Sequence, residues 1–289
     1  MIRLSVVDGA NLRGMTALPA SPPAASRVTG LTMADGIQVE AMFTDDPKAR
    51  FELHWHAEWS VGAILEGRCE FTCAGERQVA REGDIVLMAP FMLHTAGVSA
   101  QGFRMVMLYV PHAWASARLG WPPGLRGGLR RGVWRAAAMA GALAAAAQAQ
   151  DGAQTGRLLE EILRAQAGGE LVAVECRAGD ARVEAVCEAL ATEDACRIDP
   201  GALARRVGVS REHFHRLFRT AVGMTPAHYA RLARIGRAKA LLRDGHAAAD
   251  VAAQCGFTDQ AHFSRWFRRC FGVTPGNYMA GRERVERGA

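Results

Sequence analysis

The chain has 289 residues, more than one hydrophobic core usually serves, so two domains are expected. Its composition, 49% hydrophobic and 22% charged, excludes a disordered or fibrous chain. The net charge of +6 sits at one end: residues 181 to 289 carry 18 Lys and Arg against 11 Asp and Glu, while residues 1 to 180 carry 17 against 18, which makes the C-terminal part the one to meet a polyanion.

Residues 1 to 36 include the Pro- and Ala-rich "ALPASPPAAS" and read as an N-terminal arm. No basic-then-apolar leader opens them, and the longest apolar run, "AAAMAGALAAAA" at 136 to 147, is too short to span a bilayer, so a cytoplasmic protein without a membrane partner is expected. From 37 to 130 the texture is β-type. The runs "IQVEAMF", "WSVGAILEG", "CEFTCAG", "GDIVLMAP" and "FRMVMLYV" are separated by Gly, Pro and Asp, the pattern of an antiparallel barrel or sandwich.

Inside that domain "LHWHAEWS" places His54, His56 and Glu58 at alternate positions, so in a strand both histidines face one side with Trp55 on the other. Together with Trp59 and the later His94 they are the candidate ligand-binding residues, because pockets combine apolar walls with a few placed polar groups. If a metal is held at all, the candidates are His54, His56 and His94. The plain alternative is that the histidines only hydrogen-bond within the domain. Seven cysteines (69, 73, 176, 187, 196, 255, 270) lack any CxxC pair and read as reduced thiols; Cys69 and Cys73 would need a turn between them to form a disulfide.

Residues 131 to 169 read as two helices. Leu158, Leu159, Ile162 and Leu163 form an apolar stripe that either packs onto the same domain or forms a dimer seam. A linker is expected at 170 to 181.

The remainder, 182 to 289, holds an internal repeat. "HFHRLFRTAVGMTPAHY" (213 to 229) and "HFSRWFRRCFGVTPGNY" (262 to 278) coincide at nine positions with an offset of 49. Each copy reads as helix, glycine turn, helix: Gly208 and Gly256 take the turns, Ser210 and Asp259 the caps, Gly223 and Gly272 the exits. Phe214, Leu217, Phe218 and Val222 bury one face of the first copy's second helix, and Phe263, Trp266, Phe267 and Cys270 that of the second. Arg211, Glu212, His215, Arg216 and Arg219, then Gln260, Ala261, Ser264, Arg265 and Arg268, point outward. Side chains of this kind suit base edges and phosphates, whereas a single such helix would be an ordinary solvated basic face. Between the copies "PAHYARLARIGRAKALL" would span about 25 Å as a helix, a rigid spacer able to present both copies to successive major-groove segments roughly 34 Å apart.

These stretches, "LARRVGVSREHFHRLFRTAVGMTPAHYARLARIGRAKALL" and "VAAQCGFTDQAHFSRWFRRCFGVTPGNY", resemble the tandem helix-turn-helix domain of the AraC/XylS family of bacterial transcription regulators. The resemblance places that family's DNA-facing positions at Glu212, His215, Arg216, Arg219, Gln260, Ala261, Ser264 and Arg265. One departure is "HAAADVAAQ", where the family has a larger aliphatic residue near Ala249 and a better cap near Ala247, so that helix is expected to be weakly held. "LHWHAEWSVGAILEG" with "REGDIVLMAPFMLH" resembles the small cupin barrel that serves as ligand-binding domain in such regulators; Gly83, Pro90 and His94 follow its second motif. Metal-dependent cupin enzymes carry a glutamate where this chain has Ser60 or Val61, which argues against catalysis.

The expectation is an α+β two-domain chain: a cupin-like antiparallel β-barrel with following helices, then an all-α tandem helix-turn-helix domain. Its function is read as a small-molecule-responsive transcription activator, not an enzyme, with an unidentified effector and no certain cofactor. Promoter DNA, RNA polymerase and a second copy are its partners. The alternatives are a metal-dependent cupin enzyme with an accessory DNA-binding domain and a constitutive regulator with an inert barrel.

Overall fold

A computed structural model describes residues 26–45, 49–73, 76–90, 92–97, 102–120, 127–128, 132–167, 172–173 and 200–286. Apart from Val172–Ala173, the expected linker and the start of the C-terminal domain up to residue 199 lie outside the described residues, as do Cys176, Cys187 and Cys196. Among those described, no helix is long and apolar enough to cross a membrane.

The N-terminal half is antiparallel. Strand β1 (Arg27–Thr32) pairs with β2 (Gln38–Thr44), which pairs with β8 (Phe103–Val110). The sheet thus begins inside the segment expected as an arm. Strand β3 (Phe51–His54) pairs with β7 (His94–Ala96). Strand β4 (Trp59–Cys73) runs through both runs that the sequence separates, "WSVGAILEG" and "CEFTCAG". Its first half pairs with β8 and β6 (Asp84–Met88), its second with β5 (Glu76–Arg81), and Cys73 pairs with His94 of β7, so one long strand belongs to two sheets. The pairings are those of a cupin-like sheet region; among the described residues no ladder closes them into a full ring. Two-residue strands β9 (Gly127–Gly128) and β11 (Val172–Ala173) pair with each other, and β10 (Val133–Arg135) pairs with β6.

Strand β8, "FRMVMLYV", explains why this sheet has two cores. Met105, Met107 and Tyr109 face one cluster, Val106, Leu108 and Val110 the other, so its near-continuous apolar run reflects burial on both faces. The second cluster is closed by helices α1 (His112–Leu119), α2 (Ala137–Gln148) and α3 (Gly152–Ala167). Leu158, Leu159, Ile162 and Leu163 are buried there, so the apolar stripe is used inside the chain and is not an exposed dimer seam.

The C-terminal part is helical: α4 (Pro200–Arg206), α5 (Arg211–Val222), α6 (Pro226–Arg243), α7 (Ala248–Gln254), α8 (Gln260–Phe271) and α9 (Pro275–Glu286). The first repeat has its own cluster of Leu203, Ala204, Phe214, Phe218 and Ala230. The second repeat shares a cluster with the sheet: Phe263, Phe267, Phe271, Ile235 and Leu242 continue into Met42, Ile64, Phe71 and Tyr109. The last helix lies on edge strand β1, where Gly281 comes so close to the Val28 carbonyl oxygen that a Cβ would stand 1.8 Å from it. A helix laid over an exposed strand edge removes a site for unwanted pairing.

Candidate functional site

The two recognition helices are built as the repeat implies. Ser210 caps α5 by accepting from His213 N at 3.2 Å, and Asp259 caps α8 by accepting from His262 N at 2.6 Å. Both helices end on a left-handed glycine, Gly223 (φ 80°) and Gly272 (φ 72°). Phe214, Phe218, Phe263 and Phe267 are fully buried. Arg211, Glu212, Arg216, Arg219, Gln260, Ala261, Arg265 and Arg268 are exposed, and His215 and Ser264 half-buried, which is the outward set the spacing gives. Thr225 caps α6 through His228 N at 3.3 Å, and its 18 residues span about 27 Å between the two units. Trp266, like Leu217 and Val222, departs from the expected buried face. It is half-buried, donating to His262 Nε2 at 3.1 Å with the Arg231 guanidinium 4.4 Å above its ring.

The histidines of the β-domain converge. Strand β3 ends at His54, and Trp55 to Glu58 leave the sheet, so the alternation expected for His54, His56 and Glu58 breaks after the first. His54 and His94 are cross-strand partners of β3 and β7, and His56 folds back beside them. All three are buried, with ring centroids 4.3 to 5.0 Å apart. His54 Nδ1 lies 2.6 Å from Glu52 O and His94 Nδ1 2.8 Å from Met92 O, while His54 Nε2 and His56 Nε2 are 3.1 Å apart. Burial, then the neighbouring histidines, hold His54 and His56 well below the ordinary imidazole pKa, and burial takes His94 to about 4. Tyr109 walls the cluster at 4.8 Å from His56, and Phe271 of recognition helix α8 at 5.7 Å.

The other expected ligand-binding residues go elsewhere. Trp59 is buried in the second core, on the opposite face, and donates to His112 Nδ1 at 3.1 Å. Trp55 packs toward Tyr229 at 6.1 Å between ring centroids, and a Cβ at Gly236 of α6 would touch its ring at 3.8 Å. Glu58 faces Lys239 and Arg243 of α6, each at 3.6 Å. These belong to a buried charged seam between the halves that the sequence reading missed. Glu40 of β2 meets Lys239 Nζ at 2.8 Å, Arg282 Nη1 at 3.2 Å and the Tyr278 hydroxyl, which donates to it. The Lys239 contact is short but not aligned as a hydrogen bond. Burial raises the Glu40 pKa, yet the Lys239 charge and the donated hydrogen bonds outweigh it, leaving the carboxyl below its ordinary value. Lys239 is raised, because the two glutamates outweigh its desolvation.

A cleft of about 380 Å³ is lined by Ser26, Ala49 and Arg50 of the β-domain, by Arg265, Arg268 and Arg269 of α8 and by its exit glycine Gly272. Cys69, Cys73, Cys255 and Cys270 are buried; burial lifts Cys69 to about 11 and Cys73 and Cys270 to about 12, so none of these last three is a reactive thiolate at neutral pH.

Known proteins divide the chain in the same way. The model of the AraC-like ligand binding domain matches residues 36–167, and that of a helix-turn-helix domain residues 203–281. An uncharacterized HTH-type transcriptional regulator, YbfI of Bacillus subtilis, is 35% identical over 104 residues, 36% of this chain and 38% of that protein, so the match spans well under half of the relative. The crystal structure of ToxT from Vibrio cholerae O395 superposes with a TM-score of 0.53 at 12% identity, covering 89% of this chain and 96% of that one. ToxT bound to (E)-4-(8-methylnaphthalen-1-yl)but-3-enoic acid does so with a TM-score of 0.53 at 11% identity, over 89% and 98%. Both likenesses concern the two-domain fold.

Proposed function

Because the chain belongs to the AraC family of transcription regulators, we propose that it binds promoter DNA sequence-specifically through both repeats and that its β-domain adjusts this binding in response to a small molecule. The observation that carries the reading is the duplicated unit: two capped helices with buried Phe pairs and outward Arg, Gln and Glu, joined by one continuous helix. Arg pairs with guanine and Gln with adenine in the major groove, and a rigid spacer fixes the register of the two contacts. It acts by binding rather than by turnover: among the described residues no carboxylate joins the histidine cluster, and Glu58 faces Lys239 and Arg243 instead. RNA polymerase and a second copy of the chain complete the proposed assembly.

Arg216→Ala and Arg265→Ala are each expected to cost about 1–3 kcal/mol of specific DNA binding and to relax base preference at one position per repeat. Footprinting on sites selected from random DNA measures this at fixed salt, because phosphate contacts alone vary with ionic strength. Unchanged affinity and preference in both variants would remove the surface proposed here.

A further inference from the structure

The cleft at helix α8 gathers four arginines, Arg50, Arg265, Arg268 and Arg269, around Ser26, Ala49 and Gly272. Glu52 is the only carboxylate among the described residues within ion-pair distance of any of the four, at 3.5 Å from Arg269 Nε. Arg265 and Arg268 belong to the outward set of the recognition helix. The cleft therefore opens on the face that meets DNA, and Arg50 reaches that face from the other domain. Its backbone is fixed although its side chain is exposed: Ala49 and Phe51 on either side are buried, and a Cβ on Gly97 would stand 2.0 Å from the Ala49 carbonyl oxygen. Gly272 lets the two walls of the cleft meet, because a Cβ there would stand 2.7 Å from the Phe51 ring.

We propose that Arg50 of the β-domain binds a DNA backbone phosphate beside the groove that α8 enters, in company with Arg268 and Arg269, so that the second repeat is held on DNA by both domains. This contact rests on the regulator reading. A guanidinium suits a phosphate because its fork of N–H donors pairs two oxygens at once, with no base edge required. Such contacts fix the register of a recognition helix and add affinity without reading sequence. The first repeat lacks the arrangement. At the offset of 49 its counterparts of Arg265, Arg268 and Arg269 are Arg216, Arg219 and Thr220, and the space beside Gly223 is open where Gly272 meets Phe51. The two half-sites are therefore contacted unequally, the one under α8 carrying a further phosphate contact from outside the helix-turn-helix domain.

The test is the salt dependence of DNA binding by the full-length chain, on a site selected from random DNA, from about 50 to about 200 mM salt. Losing one phosphate contact makes the slope of log K against log salt shallower by about 0.9. The binding defect of Arg50→Ala is therefore expected to shrink about 3.5-fold over that range, with base preference unchanged. Arg157→Ala is the control and keeps the wild-type slope, because α3 packs on the face of the sheet opposite α8. Phosphate ethylation interference is expected to lose one position in Arg50→Ala, beside the half-site of the second repeat. An unchanged slope overturns the contact, and so does an altered base preference, which would mean that Arg50 acts by placing α8. Inorganic pyrophosphate tests the other occupant. Saturable binding that Arg50→Ala abolishes, together with an unchanged DNA slope, would assign the cleft to a small anion and overturn the DNA contact. DNA binding with the wild-type slope in Arg50→Ala removes this contact alone, whereas a wild-type chain that binds no DNA even at low salt removes the regulator reading with it.

Discussion

Lys239 is one of two lysines among the 35 cationic side chains, and it occupies the apolar row of α6 formed by Leu232, Ile235 and Leu242. That position was readable as an anomaly in the sequence, but its partner was not, because Glu40 lies 199 residues away on an edge-proximal strand that carries no motif. Removing one member of a buried pair leaves the other charge uncompensated, so Glu40→Gln is expected to destabilise the packed arrangement by about 3–5 kcal/mol. Since the folded Glu40 pKa is depressed below the ordinary 4.5, its contribution is complete above that pH and disappears as pH falls through the lower folded value. Urea unfolding of wild type and Glu40→Gln should therefore differ at neutral pH, with the gap narrowing as pH falls below the ordinary 4.5; a constant gap on acidification would contradict the assignment.

Elements were legible in the sequence where local chemistry decides them. Caps, exit glycines and paired phenylalanines place both recognition helices within a residue, because each signal acts within one turn. Helix α7 tests the same rule from the other side. Ala247 occupies the cap position at φ −65°, ψ 141° with no side-chain hydrogen bond, as its sequence departure from the family implied, and the helix is held by buried Val251, Ala252 and Cys255 instead. Ala247→Ser is expected to stabilise the chain by about 1 kcal/mol, seen as a higher urea midpoint, whereas no gain would mean that α7 needs no cap. Strand β3 was less legible. The "HWHAE" alternation suits a strand, yet pairing with β7 ends at His54, and the following residues are placed by α6 and α8, elements far along the chain.

At the scale of the molecule the two repeats stop being equivalent. Gly223 and Gly272 hold the same place and nearly the same φ, but a Cβ on Gly223 meets nothing within 4 Å, whereas one on Gly272 would stand 2.7 Å from the Phe51 ring. Gly223→Ala is expected to cost about 1 kcal/mol for the left-handed backbone, and Gly272→Ala more, with hydrogen exchange of β3 rising only in the second. Equal costs and unchanged exchange would mean that α8 does not rest on the β-domain. The repeat, the charge asymmetry and the β-type runs determined by themselves that there are two domains and which of them is basic, because periodicity and capping are short-range properties of the chain. Which repeat leans on the β-domain, which face of the sheet takes the helices, and what surrounds the three histidines were decided only by tertiary structure, since burial and charge pairing depend on residues that meet across two hundred positions of sequence.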